Sequence, residues 1–173
     1  IDDQMGLLFA HLRESGQLDN TIIVITSDHG DYLGDHWLGE KDLFHDASVR
    51  VPMIIYDPSP DADATRGTVS DALVESIDLL PTFVEMAGGT PRHEWLEGRS
   101  LMPLLRGETP SDWRQYAVSE YDYSITQMAA RLNVAPKDAR LFMVTDDRWK
   151  FMHAEGGFPP MLFDLQNDPM ELR

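Results

Sequence analysis

The stretch TIIVITSDHGDYLGDHWLGEK runs from Thr21 to Lys41. It begins as an apolar, β-branched run, Ile22 to Thr26, and turns at once into acids, histidines and glycines. An apolar run without alternation fits a central strand of a parallel sheet, covered by helices on both faces. Such a strand has no packing reason to finish in Asp28-His29-Gly30. In open α/β sheets, ligands bind beyond the carboxyl ends of strands, and Asp28 and His29 stand at such an end. A bare Asp-His-Gly is also an ordinary turn, because Asp and Gly are turn formers. The wider pattern favours a site. Adjacent Asp and His offer a hard oxygen and a borderline nitrogen to a divalent metal. His36 follows, and Lys41 lies 13 residues beyond Asp28. A metal with a cation nearby is how a protein grips a phosphoryl or sulfuryl group.

Working outward, residues 1–15 carry Met5, Leu8, Phe9 and Leu12 at helical spacing, with Gly16 as the stop. The run VPMIIY (51–56) reads as a second buried strand, closed by Pro58 and Pro60. Residues 70–87 read as a helix with Pro81 in its middle, where a break is expected, and Gly88-Gly89 at its end. Helix, strand, loop and strand together indicate α/β architecture. The texture changes after Trp95. LEGRSLMPLLRGE reads as a connector and YAVSEYDY (116–123) as a strand. Residues 139–154 read as two strands around a tight TDDR turn, PPMLFDLQNDPMEL adds one more, and a helix fits between 124 and 138. The expected division is therefore 1–95, part of an α/β domain, and 96–173, a small antiparallel sheet with a helix.

The 173 residues suffice for one domain with a real core. Hydrophobic residues at 42% and charged residues at 25% are globular proportions. No apolar run approaches the roughly 18–20 residues that span a bilayer. The formal charge of −16 argues against nucleic acid or an anionic membrane as partner. With no cysteine, disulfides and thiolate chemistry are excluded within the chain, which fits a reducing compartment. The cytoplasm is the expected location, with the periplasm as the alternative. The chain opens with Ile1, inside what reads as a helix, and is expected to be a piece of a longer polypeptide. Self-association is left open.

The long stretch through Asp28 resembles the sulfatases and phosphonate monoester hydrolases of the alkaline phosphatase superfamily. Ser27-Asp28-His29-Gly30, Gly34-Asp35-His36, Lys41 and Arg50-Val51-Pro52 all match that family's pattern. The likeness continues through ESIDLLPTFVEMAGG (75–89), LEGRSLMPLL (96–105) and the closing FDLQNDPMEL (163–172). The segments GDHWL and SEYDY are similar to the phosphonate monoester hydrolase branch. The resemblance implies the C-terminal part of an alkaline-phosphatase-like α/β fold, with a small C-terminal antiparallel sheet plus helix. It implies that Asp28 and His29 are two ligands of a single divalent metal, Mn²⁺ or Ca²⁺. It makes Lys41 the group that holds the substrate's anionic oxygens. His36 matches a histidine near the site, in a catalytic or a supporting role, and Arg50 and Pro52 organise the return strand. His45 and Asp46 fall where members vary and receive no chemistry.

The family nucleophile is a formylglycine made within C/S-x-P-x-R, and this chain contains no such motif. SPDADATR (59–66) and TPSDWR (109–114) have the wrong spacing. IDDQ at 1–4 imitates the family's other metal-binding aspartate pair but reads as a decoy inside a helix. The nucleophile and the remaining ligands are therefore expected upstream, in the N-terminal remainder of the same polypeptide, and the substrate is expected to be a small anionic ester. Two other readings stay open. One is a cofactor-independent phosphoglycerate mutase, disfavoured by the closing motif and the Lys41 spacing. The other is a non-catalytic binding module or pseudoenzyme, disfavoured by intact Asp28, His29 and Lys41.

Overall fold

The computed structural model describes residues 1–173. In chain order the elements are α1 (Asp2–Glu14), β1 (Ile23–Thr26), α2 (Asp46–Val49), β2 (Met53–Tyr56), α3 (Leu79–Met86), α4 (Met102–Leu105), β3 (Ala117–Asp122), α5 (Gln127–Arg131), β4 (Arg140–Thr145), β5 (Trp149–Ala154) and β6 (Met161–Asp164), with short 3₁₀ turns in four of the connections. They form two compact units. One comprises Ile1–Ser27 and Pro52–Trp113; the other comprises Asp28–Val51 and Arg114–Arg173. No helix is long and apolar enough to cross a membrane.

In the first unit, α1 carries Asp2 and Asp3 in its first turn and His11 and Arg13 in its last, each sign at the end the helix dipole favours. Gly16 ends it with φ 70°, which lets the Gln17 N–H reach back to the Leu12 carbonyl at 2.9 Å. The strands depart from the sequence expectation. β1 and β2 pair antiparallel, Ile23 opposite Tyr56 and Thr26 opposite Met53. No crossover helix carries the chain back to the start of β1, so it re-enters beside Thr26 and must run the other way. Neither strand is buried on both faces. Ile54 is 58% exposed, and Ile23, Val24 and Ile25 are only half-buried.

The expected helix over 70–87 is also shorter. It opens with a 3₁₀ turn at Ser76–Asp78 and continues as α3. Glu75 and Asp78 form a reciprocal capping box, which fixes the start there. Pro81 therefore lies in the first α-turn of α3, where its missing N–H costs nothing, and no break is needed. Asp78, fully buried, also accepts the Arg99 N–H at 2.7 Å, and the Thr82 hydroxyl accepts the Leu101 N–H at 2.8 Å. A Cβ on Gly98 would overlap the Ile77 carbonyl, so the close approach requires glycine. These bonds turn the expected connector into a docked segment that carries α4.

In the second unit, β3-β4-β5-β6 form an antiparallel meander in that order. Strand alternation predicts it, and Asp146 closes the TDDR turn by accepting the N–H groups of Arg148 at 2.8 Å and Trp149 at 2.6 Å. Phe44, Leu141, Met143, Met152 and Phe163 make the core on one face of the sheet. Phe44 belongs to the segment 28–51, so the segment bearing the candidate site packs on this sheet. The small helix expected between 124 and 138 is α5, capped by the Thr126 hydroxyl. The α/β class with a small antiparallel sheet plus helices stands as expected.

Candidate active site

Asp28 and His29 begin the second unit directly after β1. The Asp28 Oδ2 and His29 Nε2 atoms lie 3.2 Å apart. The His29 Nδ1 lies 2.6 Å from the Gly30 carbonyl oxygen. A carbonyl only accepts, so Nδ1 carries the proton and Nε2 presents its lone pair on the Asp28 side. The Lys41 ammonium donates to that same Nε2. Three chemically different groups, a carboxylate, an imidazole lone pair and an ammonium, thus converge. Desolvation pushes the Asp28 carboxyl up. The backbone N–H groups of Asp28 and His29, the adjacent imidazole and the Lys41 charge together outweigh it and hold the carboxyl below its ordinary range.

The donor set fits part of a divalent cation site. A carboxylate oxygen 3.2 Å from an imidazole nitrogen could serve one divalent ion together. The backbone carbonyl on His29 Nδ1 is the usual outer partner that fixes a metal-binding tautomer. No group of three or more His, Asp or Glu side chains gathers as a cation site within this chain.

The loop between His29 and Lys41 is tightly wound. Leu33, His36, Trp37 and Glu40 all take positive φ, between 48° and 61°, a region side chains rarely adopt. Backbone bonds enforce it, among them Tyr32 N–H to the Glu40 carbonyl at 3.0 Å and Gly34 N–H to the Leu38 carbonyl at 2.9 Å. Tyr32 anchors the loop from within, 1% exposed. Its hydroxyl accepts the His45 N–H at 3.3 Å and donates to His45 Nδ1 at 2.8 Å. A neutral His45 lets Nδ1 accept that proton. Burial first, then the charges of His36 and Lys150, push its pKa down to about 4, and burial pushes Tyr32 up to about 12. The His36 ring stacks on His45 with centroids 4.0 Å apart.

The comparisons with known proteins bear on this constellation. Residues 34–173 match the family described as "N-sulphoglucosamine sulphohydrolase, C-terminal". The chain belongs to the sulfatase and phosphonate monoester hydrolase family of the alkaline phosphatase superfamily. A relative described as a multifunctional alkaline phosphatase superfamily protein, PehA of Trinickia caryophylli, is 40% identical over 175 residues, covering 99% of this chain and 33% of that protein. An arylsulfatase of Clostridium perfringens is 35% identical over 99% of this chain and 33% of its own length. Among solved structures, the phosphonate monoester hydrolase of Agrobacterium radiobacter superposes with a TM-score of 0.87 at 34% identity, over 99% of this chain and 34% of that one. The chain thus spans about a third of the length of the relatives it matches.

Within this sulfatase-family chain, the structure brings Asp28, His29 and Lys41 together. It places His36 one layer behind, on His45. Asp2 and Asp3 serve as first-turn acids of α1. Sequence reasoning missed Lys150 and Glu171 and gave their partner Asp46 no role. Lys150, 1% exposed, lies in β5 with its ammonium on Asp46 and 2.6 Å from Glu171 Oε1. Glu171 Oε2 also accepts the Asp46 N–H at 2.6 Å. The closing motif delivers Glu171 there. Asp164 holds its first turn through Asn167 at 2.9 Å and Arg148 at 3.0 Å, and Asp168 accepts the Arg173 N–H at 2.8 Å. A lysine on the inward face of β5, in step with buried Met152, was the available signal.

Proposed function

We propose that the chain is the C-terminal portion of an ester hydrolase acting on phosphonate or phosphate monoesters or diesters, or on sulfate esters. The observation that carries this reading is the convergence of Asp28 Oδ2, His29 Nε2 and Lys41 Nζ. Asp28 and His29 are two of the ligands for one divalent ion, Mn²⁺ or Ca²⁺. A formylglycine nucleophile and the opposing ligands lie in residues outside this chain. When bound, the ion supplies charge for the nonbridging oxygens and acidifies the attacking hydroxyl. The Gly30 carbonyl holds the proton on Nδ1, so Nε2 keeps its lone pair, which the Lys41 ammonium takes up here and would have to yield to an ion. Lys41, on a loop returning towards His29, offsets negative charge near the leaving group within a chain whose formal charge is −16. His36 supports rather than reacts, since its ring is committed to the stack on His45.

The test uses the complete polypeptide containing this chain, assayed with aryl phosphonate, phosphate diester and sulfate esters, with metal measured in parallel. Asp28→Ala should remove most bound metal and nearly all turnover; retained activity refutes the assignment. The isolated chain, titrated calorimetrically with Mn²⁺ or Ca²⁺, should bind weakly, because two ligands make an incomplete site. A submicromolar Kd would reveal further ligands within it.

A further inference from the structure

Lys41 meets His29 through its ammonium, and the loop between them is closed by the Tyr32 N–H on the Glu40 carbonyl. A further tie between the two ends comes from Ser48, 3% exposed, in the single turn α2. Its hydroxyl donates to the Lys41 carbonyl at 2.8 Å. Its own carbonyl accepts the Gly30 N–H at 2.7 Å. One buried residue therefore grips the backbone on both sides of the site. The fit at Gly30 is close: a Cβ there would overlap the Ala47 carbonyl. The turn bearing Ser48 is fixed in its own right. Its first residue, Asp46, donates its N–H to Glu171 and accepts the buried Lys150 ammonium through its carboxylate. A four-residue helix cannot hold its own shape in water, so this ion cluster is what makes Ser48 a fixed point.

We propose that Ser48 is a positioning residue of the active site, a clamp that holds Lys41 in register with Asp28 and His29, with Lys150, Asp46 and Glu171 as its foundation. The role rests on the reading that Lys41 meets the anionic ester. Small displacements of a charge-stabilising group cost rate steeply, about 10²-fold for 1 Å. The clamp thereby sets how well Lys41 works without touching substrate.

The test has one arm in turnover and one independent of it. In the complete polypeptide, Ser48→Ala should lower kcat/KM by about 10–100-fold with bound metal unchanged, and Ser48→Thr, which keeps the hydroxyl, should restore part of the loss. On a Lys41→Ala background, Ser48→Ala should cost no more than about 2-fold, since its effect runs through Lys41. A full, additive loss on that background overturns the proposal. The second arm measures acylation of individual lysines by mass spectrometry. Lys41 should label severalfold faster in Ser48→Ala than in the parent, relative to exposed Lys137, while Lys150 stays protected. An unchanged Lys41 rate overturns the clamp. Should Ser48→Ala not fold, Ser48→Cys, a weak donor of similar size, takes its place. If the parent hydrolyses none of the three ester classes, the functional reading fails, and lysine labelling still judges the clamp.

Discussion

Two lysines of the second unit live in opposite surroundings. Lys150 is buried beneath the site, neutralised by Asp46 and Glu171. Lys41 is exposed on a loop of positive-φ residues, with the His29 imidazole as its side-chain partner. A cation taken out of water survives only when it is paired, so two carboxylates around Lys150 describe a structural role. A cation left at the surface beside a carboxylate and a histidine is available to an incoming anion. The lesson is that burial and pairing, not residue type, separate the lysine that holds the fold from the one offered to a substrate.

The sharpest way to break this contrast is to exchange the two losses. Lys150→Met should destabilise the protein by about 3–5 kcal/mol, because Glu171 is left as an uncompensated buried charge. Urea unfolding would measure it, and a loss under about 1 kcal/mol would mean the cluster is not structural. Lys41→Ala should leave unfolding within about 0.5 kcal/mol of the parent. In the complete enzyme it should cost on the order of 10²–10³ in kcat/KM, the scale of one preorganised stabilising group. Arginine there should rescue only in part, since its planar fork does not replace a compact point charge. Normal kcat/KM for all three ester classes in Lys41→Ala would remove the anion-binding role.

A third difference concerns pH. His45, beneath the loop, has its pKa lowered to about 4, chiefly by burial and then by His36 and Lys150. The unfolded chain takes up a proton near its ordinary value of 6.5, where the folded chain does not. The stability His45 contributes is thus whole above about pH 6.5 and is lost as pH falls towards 4, amounting to about 2–3 kcal/mol. Thermal unfolding of His45→Gln between those limits should show a flatter pH slope, and an identical slope would contradict the neutral Tyr32–His45 pair. The smallest expected effect lies at Arg50, whose side chain is 82% exposed and 3.3 Å from Asp46. Arg50→Ala should change stability by less than about 0.5 kcal/mol in water and by nothing at high salt. A larger loss would show that Asp46 depends on its exposed partner as well as on Lys150.

The legible parts of the molecule were those whose cause is local. The α1 periodicity, the alternation of β3 to β6 and the TDDR turn each follow from neighbours a few residues apart, and the structure agrees with all three. The start of α3 was misread because its capping box uses Glu75 and Asp78, acids that look solvent-exposed in sequence, and because Pro81 reads as a breaker when its place in the helix is unknown. Strand direction failed for another reason. An apolar run tells that Ile23 to Thr26 seeks cover, not which edge Met53 to Tyr56 will take.

At the site, the chemical types were set by sequence alone: an aspartate, a histidine and a lysine at spacings that match a family, in a chain without cysteine and strongly acidic. Their arrangement was a tertiary matter. His36 stacks on His45 across nine positions, and the grip of Ser48 depends on a turn held by residues 104 and 125 positions away from Asp46. Bonds of that range leave no periodicity and no motif of their own. They exist only once the sheet brings β5 and the closing segment under the loop, and a buried charge can be recognised as paired only when its partners are in place.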